Sequence, residues 1–345
     1  MRSLRSIVFS ALVGIVGGAA FPVYFYGYDL DTMLNGAIVG ILISFSITYV
    51  ENNILHERLR RTRFSRALVI RTTAHLVIIV FFVILSVAAY SILILGNPIS
   101  DVFKQTNTRH FLFGGGLLAI VFYALTVSFL VNMIRQMSRI LGQNVLLNMI
   151  LGRYAIPIEE ERIFMFLDLD ASTTIAERLG NIRYHELLDD YVYDITKPIL
   201  ESGGEIYQYV GDEVVVTWKK RHGKVTMSCI DCFFLISETM NRLAPHYQKK
   251  YGFVPGFKAG FHCGTVVAGE IGDFKKEIVF QGDVVNTASR IKETCGSLGA
   301  KILLSRELLD ELPQDHRSYK SLRVGSFLLK GKEHEVELFS IAKIE

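Results

Sequence analysis

The sequence predicts two unlike parts: an α-helical transmembrane bundle of four spans, then an α/β domain of ferredoxin-like strand order. Three observations carry this prediction. Apolar runs long enough to cross a bilayer crowd the first 134 residues. Near residue 158 the pattern changes to short apolar runs suited to buried strands. Glycine-marked turns then separate those runs from helical segments. Half of the 345 residues are hydrophobic, and the mean hydropathy of +0.32 is high for a water-soluble chain.

The four runs are Ile7–Tyr28, Met33–Val50, Thr72–Leu95 and Phe111–Ile134. A helix needs about 20 residues to cross a hydrocarbon core, and each run is near that length. The first is too long for the apolar region of a cleaved signal peptide, and further spans follow it. Arg2 and Arg5 precede the first run; Arg58, Arg60, Arg61, Arg63 and Arg66 fill the second loop; Arg135 and Arg139 follow the fourth run. The opposite loops hold Asp29, Asp31, Lys104 and Arg109. The positive-inside rule therefore expects a multi-pass protein of the cell (inner) membrane, in contact with lipid, with both termini cytoplasmic. Gly36 and Gly40 have the spacing that lets helices approach closely. Arg71 and His75 lie one turn apart near the start of the third run. Arg71 is expected to snorkel to the interface and His75 to hydrogen-bond within the bundle, a ligand or sensor role for His75 being the rarer alternative.

Residues 1–134 are thus read as the membrane domain, 135–157 as a linker and 158–345 as a cytoplasmic domain. In the linker Met137, Ile140, Leu141, Val145 and Met149 fall on one helical stripe that Pro157 ends. It is either a transducer helix that pairs with a second copy or a passive spacer. The net charge of +3 gives no case for nucleic acid as a partner. The four cysteines, Cys229, Cys232, Cys263 and Cys295, lack the density of a disulfide scaffold. Cys229 and Cys232 form a C-x-x-C inside a helical segment with no second pair at zinc spacing, and read as packed thiols.

In the cytoplasmic domain, Ile163–Leu169 reads as a buried strand and 173–202 as helix stopped by Gly203–Gly204. Glu205–Val210 and Glu213–Trp218 form a hairpin around Gly211–Asp212, and 223–250 is helical. Phe257–Ala268 and Glu277–Phe280 read as strands and 283–296 as helix. Strand, helix, hairpin, helix, strand is the ferredoxin-like order.

Asp168 stands among apolar strand residues, where a carboxylate is costly unless it binds something. Asp212 stands at the hairpin tip. If the two strands are neighbours, both carboxylates reach one point, and hard oxygen ligands suit Mg²⁺ or Mn²⁺. Asp212 alone is otherwise an ordinary turn residue. Asn286 and Arg290, four apart, share a helix face, an amide and a guanidinium suited to ribose and phosphate. Asp170 and Glu213 flank the aspartates as solvated or supporting charges, and His262 and Cys263 read as packing.

The segments FLDLDAST (166–173), GEIYQYVGDE (204–213), FKAGFHCGTVVAGEIGD (257–273), FQGDVVNTASR (280–290) and LKGK (329–332) together resemble the class III adenylyl/guanylyl cyclase catalytic domain. The resemblance implies a dimer with interfacial sites, each holding two Mg²⁺ or Mn²⁺ ions. It implies that Asp168, Asp212 and the Leu169 carbonyl bind metal, that Asn286 orients the ribose, and that Arg290 stabilises charge at the α-phosphate. It further implies triphosphate contacts from Lys330, or Lys332, and from Lys258. In the family one chain's aspartates work with the other's asparagine and arginine, so a homodimer would hold two sites. The base-reading positions carry Gln208 and Val279 instead of the usual lysine or glutamate and aspartate or threonine. Gln208 can donate and accept, so it fits either purine, and Val279 offers no side-chain hydrogen bond. Ala171 replaces a glycine common in the family. The implied activity is membrane-bound conversion of ATP to 3′,5′-cyclic AMP and pyrophosphate. The alternatives are a guanylyl or dual-specificity cyclase acting on GTP, and a receptor whose cyclase domain binds nucleotide without turnover.

Overall fold

The structure, a computed structural model, describes residues 11–20, 30–55, 58–60, 62–93, 96–142, 145–220, 225–313 and 319–344. Arg2, Arg5, Asp29, Arg61 and both ends of the first apolar run lie outside the described residues. The chain divides into two compact units, Met1–Ile140 and Leu141–Glu345.

In the first unit the helices are α1 (Ala11–Ala20), α2 (Leu30–Val50), α3 (Phe64–Leu93), α4 (Thr106–Phe113) and α5 (Gly116–Leu141). A π-helical turn, Glu51–Leu55, extends α2. Among the described residues three segments are long and apolar enough to cross a membrane: Met33–Leu55, Phe64–Leu93 and Gly116–Leu141. α1 is a shorter apolar helix inside the first run. The fourth run is not one helix: Gly114 and Gly115 separate α4 from α5, with Gly115 at φ 103°. The glycine spacing expected to bring helices together does so. A Cβ on Gly40 would lie 2.0 Å from the Gly14 carbonyl oxygen, and one on Gly18 would lie 2.1 Å from that of Gly36. α1 thus supplies a matching G-x-x-x-G, and the two backbones touch where side chains are missing. Arg71 departs from expectation. It does not snorkel outward but is 2% exposed, with its Nε 3.8 Å from Glu51 Oε1. An interior carboxylate on the preceding helix is the physical reason.

The second unit opens with the short helix α6 (Val145–Ile150). The amphipathic stripe of 135–157 is therefore divided, because Gly142 adopts φ 100°, which ends α5. β1 (Ile158–Leu169) follows, then α7 (Ser172–Leu179), α8 (Asn181–Glu201), β2 (Glu205–Val210), β3 (Glu213–Lys219), α9 (Ser228–Tyr251) and β4 (Phe257–Ile271). The chain closes with β5 (Glu277–Gln281), α10 (Asp283–Leu298), β6 (Ile302–Ser305), α11 (Arg306–Glu311), β7 (Tyr319–Phe327) and β8 (Val336–Lys343). The segment 173–202 is two helices because Gly180, at φ 72°, turns the chain between α7 and α8.

The sheet runs β2-β3-β1-β4-β6-β8-β7, with β5 paired to β4. Its first four strands have the ferredoxin-like order, β1 lying antiparallel between β3 and β4. β1 is apolar on both faces because both are covered. Ile163, Met165, Leu167 and Leu169 join the core with α8 and α9, while Phe164 and Phe166 pack with Val284 and Ala288 of α10. This explains a continuous apolar run where a half-exposed strand would alternate. It also directs Asp168, in register with Phe164 and Phe166, to the α10 side.

Candidate active site

Strand pairing brings the two aspartates together. Leu167 of β1 lies opposite Val214 of β3, so Asp168 ends its strand beside the turn that holds Asp212. Gly211, at φ 65°, lets that turn close. The two carboxyls influence each other's proton affinity in opposite directions. Burial would raise Asp168, but the charges of Lys292 and Lys258 outweigh it and hold the carboxyl below its ordinary range. Lys258 Nζ is 3.1 Å and Lys292 Nζ 3.4 Å from Asp168 Oδ2. Asp212 is pushed up, first by burial and then by Asp168, against a hydrogen bond from Ser172. Its Oδ2 is buried and has no hydrogen-bond partner among the described residues.

An orphaned carboxylate oxygen beside a second carboxylate is electrostatically incomplete without a cation. The donor set fits a hard divalent ion: two carboxylates, with the Leu169 carbonyl one residue from Asp168. Among the described residues no cluster of three or more His, Cys, Asp or Glu side chains could hold a metal. The remaining ligands would have to be backbone, water or substrate oxygens.

Lys292 is the residue that sequence reasoning missed. Its Nζ also lies 2.7 Å from Glu213 Oε2, so it bridges β1 and the hairpin. Glu213 therefore has a specific partner and is not merely solvated. The signal was available in α10. Lys292 lies two residues beyond Arg290, about 200° around a helix of about 3.6 residues per turn. Where Arg290 and Asn286 face one way, Lys292 must face the other. In the structure Lys292 meets the sheet, Asn286 is exposed, and half-exposed Arg290 donates to both oxygens of Glu293 at 2.7 and 2.8 Å. The helix that supplies a lysine to Asp168 thus turns its amide and guanidinium away from it.

Gln208 and Val279 lie on β2 and β5, which do not pair in the sheet. Their chain neighbours Tyr207 and Phe280 are in contact. The Phe280 amide donates to Tyr207 Oη at 3.3 Å, and the two rings stack edge-on with centroids 5.0 Å apart. Arg162 supports both strands: it donates to Glu205 of β2 at 3.0 Å and lies 4.3 Å from the Phe280 ring centroid. Lys330 is exposed on the turn before β8, whereas Lys332 is ion-paired with Asp283 at the start of α10. Ala171, three residues beyond Asp168, has φ 53° and ψ 36°, the left-handed region that a glycine enters without strain. Cys229 and Cys232 are buried in the α9 core. His262 is buried on β4, with Nδ1 2.7 Å from Ser305 Oγ, the N-cap of α11.

The family described as "Adenylate and Guanylate cyclase catalytic domain" matches residues 158–343. Adenylate cyclase 2 of Rhizobium meliloti (strain 1021) is 32% identical over 339 residues, covering 98% of this chain and 91% of that protein. An adenylate cyclase of Anabaena cylindrica is 25% identical over 182 residues, covering 51% of this chain and 36% of its own length. Among solved structures, a bacterial light-regulated adenylyl cyclase superposes with a TM-score of 0.53 at 20% identity, covering 63% of this chain and 62% of that one, a likeness of fold. The first relative aligns through the membrane half as well as the sheet domain. With a family match over more than half its length and a relative similar almost from end to end, the chain belongs to the class III nucleotide cyclases.

Proposed function

We propose that this chain converts ATP to 3′,5′-cyclic AMP and pyrophosphate as a membrane-embedded homodimer. The observation that carries the reading is the paired, oppositely shifted aspartates with an unpartnered Asp212 Oδ2. Asp168, Asp212 and the Leu169 carbonyl would hold two Mg²⁺ or Mn²⁺ ions. Such ions, when bound, acidify the ribose 3′-hydroxyl and neutralise phosphate charge. The rest of the work is positioning and charge stabilisation by side chains. Arg290 faces the α-phosphate, where negative charge builds as the hydroxyl oxygen attacks. Asn286 holds the ribose, and Lys330 and Lys258 meet the triphosphate. The new bond forms between the 3′-oxygen and the α-phosphorus as the bond to pyrophosphate breaks.

The geometry of α10 supports a dimeric site. Asn286 and Arg290 lie on the face of α10 opposite Lys292, whose amine meets Asp168. A partner's aspartates are then the natural complement of one chain's Asn286 and Arg290. The three long apolar helices support a membrane location, and Arg58, Arg60 and Arg63 between α2 and α3, with Arg66 in the first turn of α3, support a cytoplasmic catalytic unit. ATP is favoured by the names of both adenylate cyclase relatives. A second reading, guanylyl or dual-specificity cyclase, is kept by Gln208, whose amide can pair with either purine.

The test is product analysis of the purified full chain with Mn²⁺ and ATP or GTP in parallel. Cyclic AMP from ATP is expected. Cyclic GMP from GTP with no cyclic AMP would transfer the assignment to the second reading. Neither product would favour a receptor that binds nucleotide without turnover. Co-expressed Asp168→Ala and Asn286→Ala chains, each inactive alone, should regain activity through one intact site per heterodimer; absence of rescue would sink the interfacial site.

A further inference from the structure

The membrane unit contains a cavity of about 600 Å³ between α1, α2, α3 and α5. Small-molecule sites span about 300–1,000 Å³. Its walls are mostly apolar, with Val39, Ile43, Ile79, Val83, Ile120 and Ala124 among them. Along α3 the lining runs from His75 to Val87, about 18 Å at about 1.5 Å rise per residue. The shape is that of a slot for an extended apolar chain.

One end of this slot is polar and incompletely paired. His75 and Arg135 line it there. His75 is 2% exposed, and its Nδ1 lies 3.3 Å from Asn132 Nδ2. Its Nε2 is 3.4 Å from Glu51 Oε1 but forms no hydrogen bond of acceptable geometry among the described residues. Arg71 Nε and Nη1 are likewise buried and make no hydrogen bond among the described residues, although Nε lies 3.8 Å from Glu51 Oε1. Arg71 also lines a second cavity of about 280 Å³ with Arg60 and Arg139, and no carboxylate is in its lining. Arg71 and Arg135 act electrostatically on Glu51, and so does Arg139. Of these three guanidiniums, Arg71 is the one within ion-pair distance of Glu51 among the described residues. A buried donor without a hydrogen-bond partner is costly in this setting, and an anionic head would satisfy it and balance the charge of half-buried Arg135.

We propose that the membrane unit binds an amphiphile with an anionic, oxygen-bearing head held at His75 and Arg135 and an apolar tail lying along Ile79 and Val83. The head chemistry, carboxylate or phosphate, is shared by free fatty acids and anionic bilayer lipids. Arg135 stands on α5 six residues before that helix ends at Leu141, ahead of the linker, so the head would touch the element that leads toward the catalytic unit in sequence. The inference concerns the membrane unit alone and does not depend on which nucleotide the catalytic unit uses.

The experiment uses the full chain in nanodiscs of zwitterionic lipid, titrated with spin-labelled stearate and read by electron paramagnetic resonance. A saturable immobilised population of about one probe per chain is expected, displaced by stearate at least about tenfold better than by stearyl alcohol. Arg135→Gln should weaken probe affinity about tenfold or more, and Val83→Trp should abolish it by filling the slot. Ala124→Leu serves as a milder filling variant, and each variant is checked by its elution profile and thermal midpoint. Repeating the titration with phosphatidylglycerol in the disc separates the sources: competition assigns the site to an anionic bilayer lipid, and its absence assigns it to a free amphiphile. The proposal is overturned if immobilisation does not saturate, if the alcohol competes equally, or if folded Arg135→Gln and Ala124→Leu both bind as the parent does.

Discussion

Replacing Gly260 with alanine should disable turnover through a clash that no side chain can relieve. Gly260 lies on β4 beneath α10, and its absent Cβ would sit 2.2 Å from the Lys292 amide nitrogen, 2.7 Å from Lys292 Cα and 2.8 Å from the Ala288 carbonyl oxygen. All three are helix backbone, so rotamer changes do not help. Ordinary contact begins at 3.4 Å, and 3.4 less 2.2 leaves 1.2 Å by which the helix must withdraw. Overpacking a core by one methyl costs about 1–3 kcal/mol. For a chain of this size that lowers the thermal midpoint by about 2–12 °C. The catalytic cost is larger, because α10 carries Asn286 and Arg290 and a displacement of about 1 Å can cost about 100-fold in rate. The assay is kcat for cyclic nucleotide formation at saturating Mn²⁺–ATP, beside a thermal melt. Gly296→Ala in the same helix is the control, since its Cβ would meet only Lys258 Cε at 3.8 Å. It should be neutral or stabilising by up to about 1 kcal/mol. Turnover within twofold of the parent and an unchanged melt for Gly260→Ala would refute the reasoning.

Three further outcomes are expected. Ala171→Gly should stabilise the chain by about 0.5–1 kcal/mol, the left-handed strain at φ 53° less the added freedom of glycine when unfolded; a lower urea midpoint would contradict it. Glu160 is 5% exposed and paired with Arg162 at 2.9 Å and with Lys219; burial would raise its carboxyl, but these partners hold it below the ordinary glutamate range. A depressed folded pKa gives stability that is present above the unfolded value, about 4.3, and is lost as pH falls through the folded one. Glu160→Gln should thus be less stable at neutral pH by about 3–5 kcal/mol and lose less than the parent on acidification; parallel pH profiles would count against the pairing. Burial raises Cys229 and pushes Cys232, Cys263 and Cys295 up to about 12, so a maleimide at neutral pH should label the four thiols only after unfolding. Rapid labelling of the native chain would show that the α9 and sheet cores open.

Local chemistry was legible where neighbours in sequence decide it. The apolar runs marked α2, α3 and α5 because backbone hydrogen bonding inside a bilayer must be satisfied within the helix. Gly211–Asp212 marked the hairpin because the turn needs a positive φ, which Gly211 adopts at 65°. Strand and helix spacing around Gly203–Gly204 marked the ferredoxin-like order that the first four strands take. The errors also had local causes: Gly142 and Gly180 stop helices that apolar periodicity alone would continue. The same asymmetry runs through the site. The sequence by itself singled out the groups proposed to carry the chemistry: Asp168, Asp212, Asn286 and Arg290, recognisable by type, spacing and family pattern. Only the tertiary structure decided what surrounds them. Lys292 reaches Asp168 across 124 positions, Gly260 admits α10 to the sheet, and Arg71 turns inward to Glu51. Those contacts join residues far apart in the chain, and their energies depend on a topology that no single segment encodes.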